Sequence, residues 1–327
     1  MALSAEQLQD AFAIATQDIY DNIEDIFTRA NPTLTRVIKN KRKVDGGTFL
    51  QFPVAGVSEV TSQGFIPGGA NSVLSFNPEQ LITFGTLNWK YWYQVVAVTL
   101  KDMNETLDTK RAIRDMLTAK VDFAKGSMMR NLSTALHGSS VGDVNTWNGF
   151  GDMFAASGTA YMGLLNTDIP NWLPQLDTTT TTSNYTNISG MLDLIKSFAQ
   201  QDGVSKKYKQ DLLVSNYTVY NNFKTAEQLK LRFNNISDDL MKAGFSGINV
   251  DGADWVVDAD CAANTLYALT TDTLQLAYKY GFGSKSQFDS ERIQLPQAPV
   301  AGKLQFVTGN VAMINRRVNG KFSGLTA

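Results

Sequence analysis

Residues 48–86 restrict what this chain can become more than any other segment. Gly46 and Gly47 punctuate the approach, and apolar residues then recur along one arm at Phe49, Phe52, Val54, Val57 and Val60. The stretch Gly64-Phe65-Ile66-Pro67-Gly68-Gly69-Ala70-Asn71 marks a tip, and Val73, Leu74, Phe76, Leu81, Ile82 and Phe84 line the return. This pattern reads as a two-armed β excursion. Arms of about fourteen residues would reach roughly 45 Å at the rise of a strand. A two-stranded hairpin is marginal in water by itself. The arm therefore needs another surface to lie on, which points to a chain that tiles against copies of itself.

The next residues predict rigid elements beside the excursion. Asn88 to Leu100 is a strand dense in aromatics, with Trp89, Tyr91, Trp92 and Tyr93 leading into Val95-Val96-Ala97-Val98. Apolar character on both faces predicts a buried strand, and Lys90 alone among the aromatics is too little basic character for base stacking, so core packing is expected. A long helix then starts near Asp108, a good N-cap, and runs to His137, with Gly138 as its stop. Ile113, Leu117, Val121, Ala124, Met128, Leu132 and Leu136 share one stripe. Lys110, Arg111, Arg114, Lys120, Lys125 and Arg130 make the helix basic. Those six residues form either a solvated face or the place where nucleic acid would make contact.

Flanking segments are more ordinary. Residues 4–28 read as a helix capped by Ser4 and stopped by Asn31-Pro32. The basic run Lys39-Asn40-Lys41-Arg42-Lys43 predicts a solvated hinge. Residues 139–186 read as a long loop region with some local structure, since Trp147, Phe150, Tyr161 and Trp172 make it too aromatic for a pure linker. A second α/β unit begins near Asn187, where Met191, Leu192, Leu194, Ile195 and Phe198 form a helix face. A strand over 211–215, a helix over 219–231, short strands at 255–257 and 265–269, and a long strand over 304–317 complete the reading. No repeat of fixed period occurs.

Composition removes whole classes of function. A chain of 327 residues, 43% hydrophobic and 18% charged, is an ordinary globular protein able to bury a core. Lys and Arg number 29 against 31 Asp and Glu, so bulk charge argues neither for wrapping nucleic acid nor for docking on an anionic membrane. No apolar run is long enough to predict a membrane helix, and no signal-peptide pattern leads the sequence. Cys261 is the sole cysteine, which excludes an intrachain disulfide and suits a reducing compartment.

Catalytic and metal signals are weak. His137 is the sole histidine; with one distant cysteine it cannot build a zinc site, and a serine triad would have to recruit it alone. A structural role at the helix end is expected. Asp143, Asn145 and Asp152 resemble a calcium loop, but Asn148 stands where glycine is needed and no Glu closes the loop. Asp238, Asp239, Asp251, Asp254, Asp258 and Asp260 are dense enough for two to pair as acid and base, so a carboxylate-based hydrolase is the enzyme alternative. Cys261 sits in an apolar and small context that suits an inert buried thiol. No enzyme, cofactor or metal is expected.

The order of these features resembles a family. Val44-Asp45-Gly46-Gly47 with Phe49 and Phe52-Pro53, then Leu87 to Leu100 with Asn104, then Asn148-Gly149-Phe150, carry the likeness through the first half. Asp254 to Asp258, Cys261, Tyr267-Ala268-Leu269, Gly309-Asn310-Val311 and Asn315-Arg316-Arg317 with Gly320 carry it through the second. Together they resemble the major capsid proteins of tailed bacteriophages, which share the Hong Kong 97-type fold. The resemblance implies an α+β chain with an N-terminal arm at 1–45 and an extended loop at 46–88. It further implies a peripheral domain with its spine helix at 89–138, a loop insertion at 139–186, an axial domain at 187–275, and a return to the peripheral domain at 276–327.

Function follows from the resemblance as an expectation. The implied protein is a virion shell subunit that forms pentamers and hexamers around double-stranded DNA and is assembled in the host cytoplasm. Its partners would be itself, a portal, a separate scaffolding protein or decoration proteins, and packaged DNA through non-specific contact; no membrane is involved. Gly46, Gly47, Phe65, Pro67, Gly68 and Gly69 are the expected assembly residues. An encapsulin-like compartment shell is the alternative that shares the fold.

Overall fold

The computed structural model describes residues 31–55, 82–99, 110–165, 169, 172–201, 210–227, 248–280, 289–294 and 300–326. The expected helix at 4–28, the excursion's tip with Phe65, Pro67, Gly68 and Gly69, and Asp238 and Asp239 lie outside them. The chain opens with α1 (Pro32–Lys39), β1 (Lys41–Lys43), β2 (Phe49–Ala55), β3 (Ile82–Asn88) and β4 (Lys90–Thr99). The long helix α2 (Lys110–His137) and the short α3 (Phe150–Met153) follow, then β5 (Gln175–Asp177) and α4 (Tyr185–Gln201). Next come β6 (Leu212–Ser215), α5 (Tyr217–Glu227), β7 (Ile248–Val250), β8 (Ala253–Val257) and β9 (Thr265–Leu269). The last elements are β10 (Leu274–Tyr280), β11 (Asp289–Gln294), β12 (Val300–Met313) and β13 (Gly320–Ser323).

A six-stranded sheet in the order β5-β13-β9-β6-β8-β7 is covered on both faces. Strand alternation sends Leu213, Trp255, Leu266, Ala268 and Phe322 to one side, where Ile188, Leu192 and Ile195 of α4 and Val219 and Phe223 of α5 meet them. Leu212, Val214, Val256, Tyr267 and Leu269 point the other way, into the core that α2 shares. Each fully buried side chain of this size contributes about 1.5–3 kcal/mol. Polar side chains fix where the helices begin: Asn184 and Asn216 accept from the amides of Asn187 (2.9 Å) and Val219 (3.0 Å), as N-caps do. The sheet reaches beyond the expected axial segment, because residues 175–177 and 320–323 supply its edge and second strands.

The second sheet is organised by β12. One edge of β12 pairs with β4 from Val300↔Thr99 to Gly309↔Lys90; the other carries β11 and then β10. β1 adds to β10 in parallel, so residues 41–43 of the basic run are an exposed edge strand and not the hinge expected. Three charged residues there suit an edge that must avoid chance pairing. Helix α2 begins close to its expected start and ends where expected, with Ala124, Met128, Leu132 and Leu136 buried along the predicted stripe.

Three further expectations need correction. β4 is not buried on both faces, for reasons given below. Leu194 points outward from α4 instead of joining its inner face. The last long strand spans 300–313, ending four residues earlier than the pattern implied. Residues 139–186 carry the local structure expected of them, α3 and β5, and Trp147, Phe150, Tyr161 and Trp172 are all buried.

Candidate assembly surface

β2 and β3 pair antiparallel from Phe49↔Asn88 to Ala55↔Ile82, and residues opposite one another share a face. Leu50 with Leu87, and Phe52 and Val54, form the inner face and are buried in the main core. Phe49, Pro53, Phe84 and Ile82 lie on the outer face and are exposed. The inner face is fixed from below, where the amide of Thr86 donates to the Met162 carbonyl (2.8 Å). Gly46 and Gly47 set the approach angle with φ of 100° and 88°, a left-handed backbone that side chains with a Cβ disfavour. The indole Nε1 of Trp89 donates to the Gly47 carbonyl (3.0 Å) and holds that turn against β4.

β4 extends the exposed strip. Tyr91 and Tyr93 are each 71% exposed and Val95 is 48% exposed, whereas Trp89 and Val96 are buried and Trp92 is half-buried. The alternation is that of a one-sided strand, hidden in the sequence because its outward positions are also apolar. Apolar side chains scattered singly over a surface need no explanation, but several on successive strands make this face a candidate contact surface.

Beneath this strip the structure joins motifs far apart in the chain. The side chain of Asn310 accepts from the Asn148 amide (3.0 Å) and donates to the Asn148 Oδ1 (2.8 Å) and the Asn88 carbonyl (3.0 Å). Gly149 lies against the end of α2 so closely that a Cβ would sit 2.4 Å from the Ala135 carbonyl and 2.6 Å from those of Leu136 and Gly138. Asp152 accepts from the Ser139 hydroxyl, the Ser140 amide (2.9 Å) and Asn148 Nδ2 (3.2 Å), which closes the turn after the helix.

Arg316 is 1% exposed and was not legible as a core residue. Its guanidinium donates to the carbonyls of Met153 (2.8 Å), Trp172 (3.1 Å) and Ala155 (3.0 Å) and lies 5.1 Å from the Tyr161 ring centroid. Burial pushes it down to about 10 from its ordinary value, and the carbonyls and ring hold the charge in place. Burial also raises the Tyr161 phenol, whose oxygen accepts from the Met313 amide (3.0 Å). One arginine thus pins residues 153–172 to the chain beyond β12.

Among the described residues, the carboxylates proposed for hydrolysis do not converge on one cleft. Asp251 takes hydrogen bonds from Tyr185 (2.7 Å) and Ser189 (2.6 Å); its partial burial raises its carboxyl, but these bonds outweigh that and hold it low. Asp254 pairs with Arg36 (3.5 Å), Asp258 faces His137, and Asp260 accepts from Thr134 (3.4 Å). Asp143 closes a local turn to Asn145 (2.9 Å) rather than a calcium loop. No three metal-ligating side chains cluster among the described residues. Burial pushes the Cys261 thiol up to about 12, as an inert core cysteine requires. Of the basic helix residues, Arg130 is exposed and Lys120 half-buried; the side chains of Lys110, Arg111, Arg114 and Lys125 lie outside the described ones.

No protein-family model and no curated protein matches the chain. Solved structures do. The cyanophage A-1(L) capsid subunit superposes with a TM-score of 0.68 at 15% identity, over 90% of this chain and 93% of that one. The capsid of an empty GTA particle gives 0.56 at 11% identity, over 91% and 97%. The SrpI encapsulin of Synechococcus elongatus gives 0.55 at 10% identity, over 91% and 89%. The chain therefore has the Hong Kong 97-type capsid fold, with α2 as its spine helix and the six-stranded sheet as its axial layer.

Proposed function

We propose that this chain is a major capsid protein, which assembles through pentamers and hexamers into an icosahedral shell around double-stranded DNA. The observation that carries the reading is the β2–β3 ribbon beside β4. One face is locked into the core and the other presents Phe49, Phe84, Tyr91 and Tyr93 to solvent. A closed lattice is built from repeated copies of such a one-sided surface. The likeness to three shell proteins over about nine-tenths of the chain supports it. Gly46 and Gly47 act as the joint at the ribbon's base, and Phe65, Pro67, Gly68 and Gly69, in the segment of sequence that joins β2 to β3, serve to reach a neighbour. Arg130, Lys120 and the other basic residues of α2 supply non-specific contact with DNA. The virion is the site of action; a portal and separate scaffolding or decoration proteins complete the particle.

The test is a chain lacking residues 62–74. It is expected to fold and to fail to form closed particles in electron micrographs, whereas the full chain forms them. Normal particles from the deletion would overturn the role of the ribbon. Nuclease-resistant DNA inside full-chain particles separates a viral shell from an encapsulin-like one, which would hold protein cargo instead.

A further inference from the structure

His137 is the last residue of α2 and the chain's sole histidine. Its Nδ1 lies 3.0 Å from the carbonyl of Ser133. A carbonyl only accepts, so Nδ1 carries a hydrogen. In the neutral ring the other nitrogen, Nε2, is then a bare acceptor. It faces Oδ2 of Asp258 at 3.8 Å, and each side chain is 2% exposed. Among the described residues, neither Nε2 nor Oδ2 has a hydrogen-bond partner. Two acceptors buried against each other repel, and a single added proton reverses this: on Nε2 it creates an imidazolium that donates to the carboxylate.

The two residues belong to different layers. His137 ends the spine helix, and Asp258 follows β8 in the axial sheet, where its amide donates to the Ser215 carbonyl (2.9 Å) and its Oδ1 accepts from the Asp260 amide (3.1 Å). We propose that His137 and Asp258 form a proton-operated tie between the end of the spine helix and the axial sheet, closed when Nε2 holds a proton and released when that proton leaves to solvent. The surrounding groups leave this pair to decide the response. Asp260 adds negative charge from the same turn while bonded to Thr134, and Asp152 of α3 is occupied by Ser139, Ser140 and Asn148. From the sheet, Cys261 stays a neutral thiol, Tyr267 packs on Phe150, and Lys321 sits over the Tyr267 ring at 5.9 Å. Phe150 covers the imidazole edge-on at 5.2 Å and keeps water from substituting for the tie.

The sign follows from linkage. The donor–acceptor contact exists only in the folded arrangement, so the tie contributes fully on the acid side and is lost as pH rises through the imidazolium's deprotonation. The inference rests on the chain's own fold and stands apart from the shell reading, so a chain that forms no particles can still show it. Histidine labelled with ¹⁵N gives one ring to observe, because the sequence has one. In the full chain the ring nitrogens are expected to pass from a doubly protonated ring on the acid side to a ring with hydrogen on Nδ1 alone on the alkaline side. Amide exchange over 133–138, corrected for the intrinsic effect of pH, should show opening on the order of tenfold more frequent at the higher pH. Asp258→Asn places an amide donor opposite the bare Nε2, and should keep the helix end closed with no pH dependence. A ring with its neutral hydrogen on Nε2, or a wild-type helix end as indifferent to pH as that of D258N, would overturn the proposal.

Discussion

The six-stranded sheet and the β2–β3 ribbon have similar apolar content but opposite fates. The sheet is closed on both faces by α4, α5 and the shared core, so that β6 and β9 are buried at every position. The ribbon is closed on one face only, and β4 beside it leaves two tyrosines and a valine in water. The difference separates what folding completes from what association completes. Interactions inside the first region should set stability and leave assembly untouched in any variant that still folds. Substitutions on the outer face of the second should do the reverse.

Among interactions that folding completes, the hardest blow is Arg316→Met. Three buried carbonyls lose their donor at once, and the loss is expected to reach roughly 3–5 kcal/mol after allowing for the relief of burying a charge. Urea denaturation of the full chain measures it; a change below about 1 kcal/mol would show that residues 153–172 are held by other means. Asn310→Ala is expected to cost about 3 kcal/mol, because it strands the Asn148 amide and the Asn88 carbonyl together. Asn310→Asp should not rescue it, since the lost Nδ2 donor faces two acceptors. Gly149→Ala is milder, at about 2 kcal/mol, and acts by pushing the Asn148-Gly149-Phe150 turn off the end of α2. Its thermal unfolding should lose cooperativity at that turn before the axial sheet opens.

These positions also show what could be read in advance. The spine helix was legible because its stripe and its glycine stop are local signals. Strand 265–269 was equally plain, since an unbroken apolar run at that length is a fully buried strand. Asn148-Gly149-Phe150 and Gly309-Asn310-Val311 were each visible as motifs, but their union spans 162 residues and has no local trace. Arg316 was invisible as a clamp, because arginine is ordinarily exposed and its partners are main-chain carbonyls that carry no side-chain signature. The strip on β4 was misread because alternation between buried and exposed aromatics does not alternate in hydropathy. His137 was placed correctly at the helix end; its carboxylate partner, 121 positions away by residue number, was one acidic residue among several.

The smallest effect on folding is expected where the effect on association is greatest. Tyr91→Ser with Tyr93→Ser removes two rings that are 71% exposed in the isolated chain, so little buried area is lost and unfolding should shift by less than about 0.5 kcal/mol. In a shell those rings would be covered on every subunit, and burial of an aromatic is worth about 1.5–3 kcal/mol at each site. A lattice repeats that loss at each contact, so a deficit too small to unfold the subunit is large enough to stop closure. Sedimentation of the double variant should show free subunits or open capsomers where the native chain gives particles. Particles of normal size and yield, from a variant of unchanged stability, would mean that the exposed strip faces solvent in the shell and that subunits meet elsewhere.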